Sequence, residues 1–255
     1  GRDSLKLNTT ANSNSAFGYA ALRDNTTGTQ NTGLGESALR ANTTASNNTG
    51  VGFSALTANT TGASNVAIGQ FSLDANTTGG SNTALGHNAL TGNTTASSNT
   101  AVGKDCLELN TTGSNNVAIG ASTLDANTTG DDNVAVGNGA LGGNTTAHAN
   151  TAVGHEALVA NTTGTQSAAF GAKALDSNTT GDYNSSLGYL ALHANTTGVR
   201  NTAMGRTSLE SVTTGGYNTA LGMDAGFNVT TGSNNTCVGY SARPSSATGA
   251  NQIVL

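Results

Sequence analysis

Hydrophobic and polar residues recur along this chain with a fixed period of 17 residues. A glycine series keeps this step from Gly18 to Gly239, an Asn-Thr-Thr series from Asn8 to Asn195, and a leucine series from Leu5 to Leu209. The consensus of one period is N-T-A-V-G-x-x-A-L-x-A-N-T-T-G-x-x, whose positions we number one to seventeen. A fixed step of this kind is typical of repeat architectures, in which each unit packs mainly on its neighbours.

The repeat predicts a short strand over positions two to five. Positions two and four then point to one face of the strand, and positions three and five point to the other. The A-N-T-T-G segment predicts a turn, because Asn and Gly tolerate the backbone that turns require, and a return strand completes the coil. Several glycines and the Asn-Thr-Thr triplet disfavour a helix. We therefore predict an all-β fold, a parallel β-solenoid or β-roll of about fifteen 17-residue coils with a rise of ~4.8 Å per coil.

Two apolar positions in each period are predicted to fill the coil. Position four is apolar throughout, and position nine is nearly always Leu. The predicted core residues of these two series are Val51, Leu56, Ile68, Leu73, Val102, Ile119, Leu124, Val136, Leu141, Val153 and Leu158.

Positions three and five carry almost no side chain, and this bare face predicts close approach between chains. Burying two large side chains per coil contributes roughly 3–6 kcal/mol, whereas ordering the backbone of one period costs on the order of 17–34 kcal/mol. Further burial is therefore expected, and we predict a homotrimer. The alternative is that the small residues only fit a narrow coil interior. The predicted inter-chain face comprises Gly50, Ala67, Gly69, Ala101, Ala118, Gly120, Ala135 and Ala152.

Asn at positions one and twelve is predicted to stack into ladders of side-chain amides, as in other stacked β-structures. The Asn-Thr-Thr triplets also match the acceptor sequence for N-glycosylation. Sugars on successive coils ~4.8 Å apart would crowd one another, which favours the ladder interpretation. The candidate glycosylation sites are Asn25, Asn42, Asn59, Asn76, Asn93, Asn110, Asn127, Asn144, Asn161, Asn178 and Asn195.

The repeat is predicted to occupy residues 1–240, followed by a terminal or transition segment over 241–255. Pro244 is the only proline and cannot donate to a strand ladder, so we expect the solenoid to end or change there. Gly1 stands at position five and Leu255 at position four. We interpret the chain as a part of a longer protein or as a unit that stacks end to end.

Composition narrows the partners and the chemistry. Nine basic and 14 acidic residues give a formal net charge of −5, and no basic patch suggests a nucleic-acid partner. No apolar run approaches the ~20 residues of a membrane-spanning helix. Cys106 and Cys237 occupy slots for small residues, so we expect buried thiols without a disulfide between them.

No residues are placed for catalysis, so we expect no enzymatic activity and no cofactor. His87 and His155 lie four coils apart, and His148 and His193 have no partner at ligand spacing, so we expect solvated side chains. A calcium site near Asp131, Asp132 and Asp182 is a minor alternative, because the nine-residue aspartate repeat of calcium β-rolls is absent.

The segment N-V-A-I-G, at Asn65–Gly69 and Asn116–Gly120, resembles the repeat in the head of trimeric autotransporter adhesins. The longer phrase N-T-A-h-G-x-x-A-L-x-x-N-T-T-G, in which h is apolar, is similar to the repeat arrays of phage tail fibres. Ser241–Leu255 resembles the stretch that leads into a C-terminal intramolecular chaperone domain. These resemblances imply a left-handed parallel β-roll trimer.

The function that the resemblance implies is structural: the shaft of a phage tail fibre or a similar adhesin, in the virion or at the cell surface. Host surface glycans or receptors are then the expected partners besides the chain itself. The first alternative is an extracellular filament that stacks head to tail and carries glycans on its turns. An ice- or glycan-binding solenoid ranks lower, because the variable positions interrupt a flat threonine surface.

Overall fold

The computed structural model describes residues 1–255 and contains only strands, turns and bends. Every strand but the last has three residues, and each covers positions two to four of one period. No helix of the length and hydrophobicity needed to cross a membrane is present. The strands are β1 Ser15–Phe17, β2 Thr32–Leu34, β3 Thr49–Val51, β4 Val66–Ile68, β5 Thr83–Leu85, β6 Thr100–Val102, β7 Val117–Ile119, β8 Val134–Val136, β9 Thr151–Val153, β10 Ala168–Phe170, β11 Ser185–Leu187, β12 Thr202–Met204, β13 Thr219–Leu221, β14 Thr236–Val238 and β15 Ile253–Val254.

The chain divides into two compact units, Gly1–Gly130 and Asp131–Leu255. The first unit contains β1 to β7 and the second contains β8 to β15. Within each unit, every strand pairs in parallel with the next strand of the chain, and residues 17 apart are partners, as for Gly50 and Ala67. This register confirms the predicted all-β parallel solenoid. The repeat pairing reaches β15, which lies beyond the predicted change at 241.

Backbone hydrogen bonds join each coil to the coils above and below it. The amide of Thr49 donates to the carbonyl of Asn65 in the next coil, and the amide of Gly52 donates to the carbonyl of Leu34 in the previous one, both at 2.8 Å. On the other side of the coil, the amide of Leu56 donates to the carbonyl of Ser72 at 3.0 Å. The pairing thus runs along both sides of the coil.

The second side of the coil consists of turns, although a return strand was expected there. Positions seven, nine and seventeen adopt a left-handed backbone in almost every period, with φ of +55° at Ser54, +54° at Leu56 and +61° at Ser64. Such residues reverse the chain direction locally, so no extended strand forms between them. The sequence carries Ser and Leu at these positions, and neither residue type announces a left-handed conformation.

The interior of each unit is built on the leucines of position nine. All twelve from Leu22 to Leu209 are fully buried, and they are the largest fully buried side chains in the protein. The predicted core residues Leu56, Leu73, Leu124, Leu141 and Leu158 belong to this series. Position eight, which is mostly Ala, is also buried.

The apolar residues of position four lie at the outer surface, although they were expected in the core. Val51, Val102, Val136 and Val153 are half-buried, and Ile68 and Ile119 are exposed by 38% and 41%. Side chains alternate along a strand, so the residue at position three points inward when those at positions two and four point outward. The prediction had taken apolar character as the sign of burial and therefore inverted the strand.

The predicted inter-chain face of small residues lies inside the coil, so the alternative interpretation describes it. Ala67, Ala101, Ala118, Ala135 and Ala152 are fully buried within the single chain, and Gly50 is buried with them. A Cβ atom on Gly50 would lie 3.2 Å from Cγ of Leu39. The leucines occupy the available width, so only Ala or Gly fits at position three.

Gly69 and Gly120, at position five, are half-buried and serve the contact between coils. Both have φ of +134°. A Cβ atom on Gly69 would lie 2.3 Å from the carbonyl oxygen of Gly86. Position five is therefore Gly because the backbones of successive coils meet there, and not because another chain approaches.

Candidate functional surfaces

The Asn residues of position twelve form an amide ladder inside each unit. Nδ2 of Asn110 donates to Oδ1 of Asn93 at 3.0 Å, and Oδ1 of Asn110 accepts from Nδ2 of Asn127 at 2.9 Å. The same Nδ2 of Asn110 also donates to the carbonyl of Gly113 at 2.9 Å, which holds the turn of its own coil. Each amide is therefore both a rung between coils and a brace within a coil.

A second ladder runs through position one. Oδ1 of Asn31 accepts from the backbone amide of Asn48 at 2.9 Å. Nδ2 of Asn48 donates to the carbonyl of Gly62 at 2.9 Å. Asn48 and Gly62 belong to one period, so this bond ties the start of a coil to its end. Buried amides that are fully paired in this way contribute order as well as stability.

The ladder withdraws the sequon asparagines from solvent. All eleven candidate glycosylation sites have side chains that are fully buried, and the Nδ2 atom that would carry a sugar is already a hydrogen-bond donor, as for Asn59 and Asn161. A glycan on this atom would abolish the rung and would need space inside the coil. The periodic Asn-Thr-Thr triplet is therefore explained by the turn and its ladder, and the folded chain offers no glycosylation site at these positions.

The two threonines of the triplet have different roles. Oγ1 of Thr43, at position thirteen, donates to the carbonyl of Thr60 in the next coil at 3.1 Å. The threonine at position fourteen is exposed in every period, as at Thr44 and Thr61. Each unit thus displays one regular rank of exposed threonines, beside positions sixteen and seventeen, which vary in sequence.

The outward face of the strands is the largest apolar surface in each unit. We call positions two and four of β1 to β14 the outer sheet face. Most of its large side chains are exposed by two fifths or more. The exposed position-four residues are Phe17 (74%), Leu34 (45%), Ile68 (38%), Leu85 (44%), Ile119 (41%), Phe170 (41%), Leu187 (52%), Met204 (43%) and Leu221 (50%).

A hollow of about 220 Å³ interrupts the outer sheet face of the second unit. Its floor is made by Ala168, Ser185 and Ser186, where the repeat places small residues on neighbouring strands. Phe170, Leu187 and Met204 form its walls, and the surface of the hollow is almost wholly apolar. Sequence reasoning missed this feature because it had assigned position four to the interior.

Aromatic and charged residues stack between coils at variable positions. The guanidinium of Arg200 lies 4.9 Å from the ring centre of Tyr183 and 5.4 Å from that of Tyr217, and Nη1 of Arg200 donates to the Tyr217 hydroxyl at 2.8 Å. Phe53 and Phe71 meet edge to face with ring centres 5.4 Å apart. These stacks follow the coil period and reinforce the contact between neighbouring coils.

Both cysteines are free thiols in the interior. Sγ of Cys106 donates to the carbonyl of Ala118 at 3.2 Å, and burial raises the pKa of this thiol to about 12. Burial also raises the pKa of Cys237. Neither thiol is therefore ionised near neutral pH, and both fill slots that other coils fill with Ala.

The histidines and aspartates lie in surface pairs between or within coils. Nδ1 of His87 is 3.8 Å from Asp105, that of His148 is 3.7 Å from Asp131, that of His155 is 3.7 Å from Glu156, and that of His193 contacts Asp176. Oδ1 of Asp182 accepts from the backbone amide of Thr165 at 2.6 Å.

No three His, Cys, Asp or Glu side chains come together in a way that could hold a metal ion. This holds for the calcium alternative at Asp131, Asp132 and Asp182. Comparison of the chain with protein-family models, with curated proteins and with solved structures gave no match.

Proposed function

We propose that this chain is a structural segment of a fibre, the shaft of a phage tail fibre or of a similar trimeric adhesin. The observation that carries the proposal is the use of the repeated side chains. Leu at position nine, Ala at position three and Asn at positions one and twelve all join a coil to itself or to its neighbours. A chain built in this way supplies length and stiffness, which is the task of a shaft.

The homotrimer and the location in a virion or at a cell surface belong to the same proposal. They are supported by the resemblance of N-V-A-I-G and of the longer repeat phrase to adhesin heads and tail fibres. An apolar outer face on each unit also favours association of the chain with other copies. Host surface glycans or receptors are the external partners that such a shaft would bring within reach of its tip.

Small-angle X-ray scattering combined with coil deletion tests the mechanical role. Removing three whole periods from the first unit, residues 35–85, keeps the repeat in phase. The maximum dimension of the particle is then expected to fall by about 14 Å, because each coil contributes ~4.8 Å. The radius of gyration of the cross-section is expected to stay the same. A compact particle, or a deletion that narrows the cross-section and leaves the length unchanged, would contradict the proposal.

The mass of the assembly separates this shaft from the filament that stacks head to tail. A shaft gives a discrete oligomer, whereas a filament gives open-ended polymers that grow with concentration. Sedimentation velocity distinguishes the two. The buried Asn side chains speak against the glycan-bearing form of the filament.

The exposed rank of threonines at position fourteen favours surface binding as a second candidate function. Regularly spaced hydroxyl and methyl groups suit an ordered surface such as ice or a polysaccharide. Thermal hysteresis of a solution of the protein tests the first, and a glycan array tests the second. The absence of both signals would remove this candidate.

A further inference from the structure

We infer that the outer sheet face is the contact surface for a second copy of this chain. The inference rests on the proposed function and deepens it, because it names the face through which copies of the shaft lie side by side. It also replaces the small-residue face with the face that the structure leaves open. The argument uses the composition, the area and the period of this face.

The outer sheet face holds no charged residue. The chain has nine basic and 14 acidic residues, and all of them lie outside positions two and four of β1 to β14. Position two is Thr, Ser, Val or Ala, and position four is Val, Leu, Ile, Phe or Met. A depletion of charge around large apolar side chains is typical of the centre of a protein–protein interface. Apolar surface of this extent also exceeds what a soluble monomer normally exposes.

The area of the face suits a stable interface. A large side chain in full exposure offers on the order of 200 Å². With the exposed fractions of position four and the smaller contribution of position two, the face amounts to on the order of 700 Å² in each unit. A standard protein–protein interface buries about 800 Å² on each partner. The face of one unit is therefore already close to this size, and both units carry such a face.

The period of the face identifies its occupant. An apolar side chain recurs at every coil, at the ~4.8 Å spacing of paired strands. A partner that fills every rung must carry apolar groups at the same spacing over the same number of rungs. A second copy in parallel orientation satisfies this condition, because it presents the same series in the same order. An irregular protein surface would match only a few rungs.

The hollow beside Phe170 and Met204 supplies relief on an otherwise regular face. Ala168 and Ser185 leave space at position two, while Leu187 projects and is exposed by 52%. A large side chain from a second copy can enter this space, which fixes one register among the many that a strictly regular face would allow.

Charge insertion on the outer sheet face tests the inference. We propose the triple variant Ile68→Glu, Leu85→Glu and Leu187→Glu, with Thr61→Glu, Thr78→Glu and Thr180→Glu as the matched control at exposed position fourteen. Sedimentation velocity of the unchanged chain is expected to give a two- or three-fold multiple of 25.0 kDa. The face variant is expected to fall to 25.0 kDa, and the control to keep the mass of the unchanged chain.

Disulfide trapping keeps the inference testable if the face variant fails to fold. With Cys106 and Cys237 replaced by Ala, Thr83→Cys on the outer sheet face is expected to give a disulfide-linked dimer on oxidation. Thr78→Cys, on the threonine rank, is expected to remain monomeric under the same conditions. A monomeric unchanged chain, a face variant of unchanged mass, or equal cross-linking at both cysteines would overturn the inference.

The outcome for the shaft is read separately. A monomeric face variant that keeps its maximum dimension in X-ray scattering leaves the mechanical role intact. A compact unchanged chain would contradict the mechanical role whatever its mass.

Discussion

Val212 ends the amide ladder that reaches Asn195. Asn195 donates through Nδ2 to Oδ1 of Asn178 at 2.8 Å, but its own Oδ1 is buried and accepts no hydrogen bond. Val212 occupies the next rung and is fully buried. The amide of Thr196 still donates to the carbonyl of Thr213 at 2.9 Å, so the coils remain in register around the missing rung. The ladder thus ends without a break in the backbone pairing.

The position of an Asn in the ladder is expected to decide the effect of its loss. Asn110→Val leaves Oδ1 of Asn93 without its donor and removes the acceptor of Asn127, so we expect a loss of about 2–4 kcal/mol. Asn195→Val only moves the end of the ladder to Asn178, and we expect a loss below about 1 kcal/mol. Urea unfolding followed by circular dichroism measures both. Equal losses would show that the ladder does not act between coils.

Glycine is expected to be replaceable at position fifteen but not at position five. Gly103 has φ of +141°, and a Cβ atom there would lie 2.3 Å from the carbonyl oxygen of Gly120. Gly103→Ala is therefore expected to destabilise by at least about 2 kcal/mol. Gly113→Ala is expected to lower stability by less than about 1 kcal/mol, because Ala45 and Ala96 occupy the same position in other coils. Thermal unfolding of the two variants provides the comparison.

The left-handed residues of position seven are expected to tolerate or prefer glycine. Ser54 has φ of +55°, and Gly139 occupies the same position with φ of +68°. Ser54→Gly is expected to stabilise by about 0.5–1 kcal/mol, because a left-handed conformation is unfavourable for residues with a Cβ atom. Ala58→Gly, where φ is not positive, is expected to destabilise by about 0.5–1 kcal/mol. Equal signs for the two changes would contradict this explanation.

Asp125 is expected to lower stability at neutral pH. Burial raises the pKa of its carboxyl group, against the opposite effect of backbone hydrogen bonds. A folded pKa above the unfolded value means that the contribution of this group is present at low pH and is lost as the pH rises through the folded pKa. Asp125→Asn is therefore expected to raise the melting temperature at pH 7, and the gain should vanish below about pH 4.

Asp105 provides the control of opposite sign. The hydrogen bond from Lys104 lowers the pKa of Asp105, so its contribution to stability is present above the unfolded pKa and is lost as the pH falls. Asp105→Asn is expected to lower the melting temperature at pH 7 and to have little effect at low pH. Melting temperatures measured from pH 3 to pH 8 test both signs, and parallel profiles for the two variants would contradict them.

Neither thiol is expected to react in the folded protein. Cys106 and Cys237 are fully buried, and the pKa of Cys106 is raised to about 12, so the reactive thiolate is scarce at pH 8. Ellman's reagent is expected to find both thiols only after denaturation. Cys106→Ala should be nearly neutral, because Ala89 and Ala140 fill the same slot. Rapid labelling of the native chain would show that the coil opens.

The sequence predicts the period, the parallel register, the leucine core and the amide ladders, because each depends on one residue type recurring at one position. It does not predict which face of the strand points inward. Alternation defines two faces, and their assignment depends on the width of the coil, which Leu39 and its equivalents fill completely. Ala therefore lies inside, and an apolar residue such as Ile68 lies outside.

The turns of the second side were also beyond the sequence. Leu56 and Ser54 adopt left-handed conformations although neither is Gly or Asn. Their conformation is imposed by the hydrogen bonds to the neighbouring coils, which a local pattern does not reveal. The candidate surface became visible only when the burial of each position was known.

The pairing of residues 17 apart makes the period a unit of inheritance as well as of structure. Duplication or loss of one whole period in a gene keeps all other partners matched, since each coil meets only its two neighbours. An insertion of a single residue would turn inward-facing side chains outward at that point. Such a chain can therefore evolve toward a longer or shorter product in discrete steps, and each step is available without any compensating substitution.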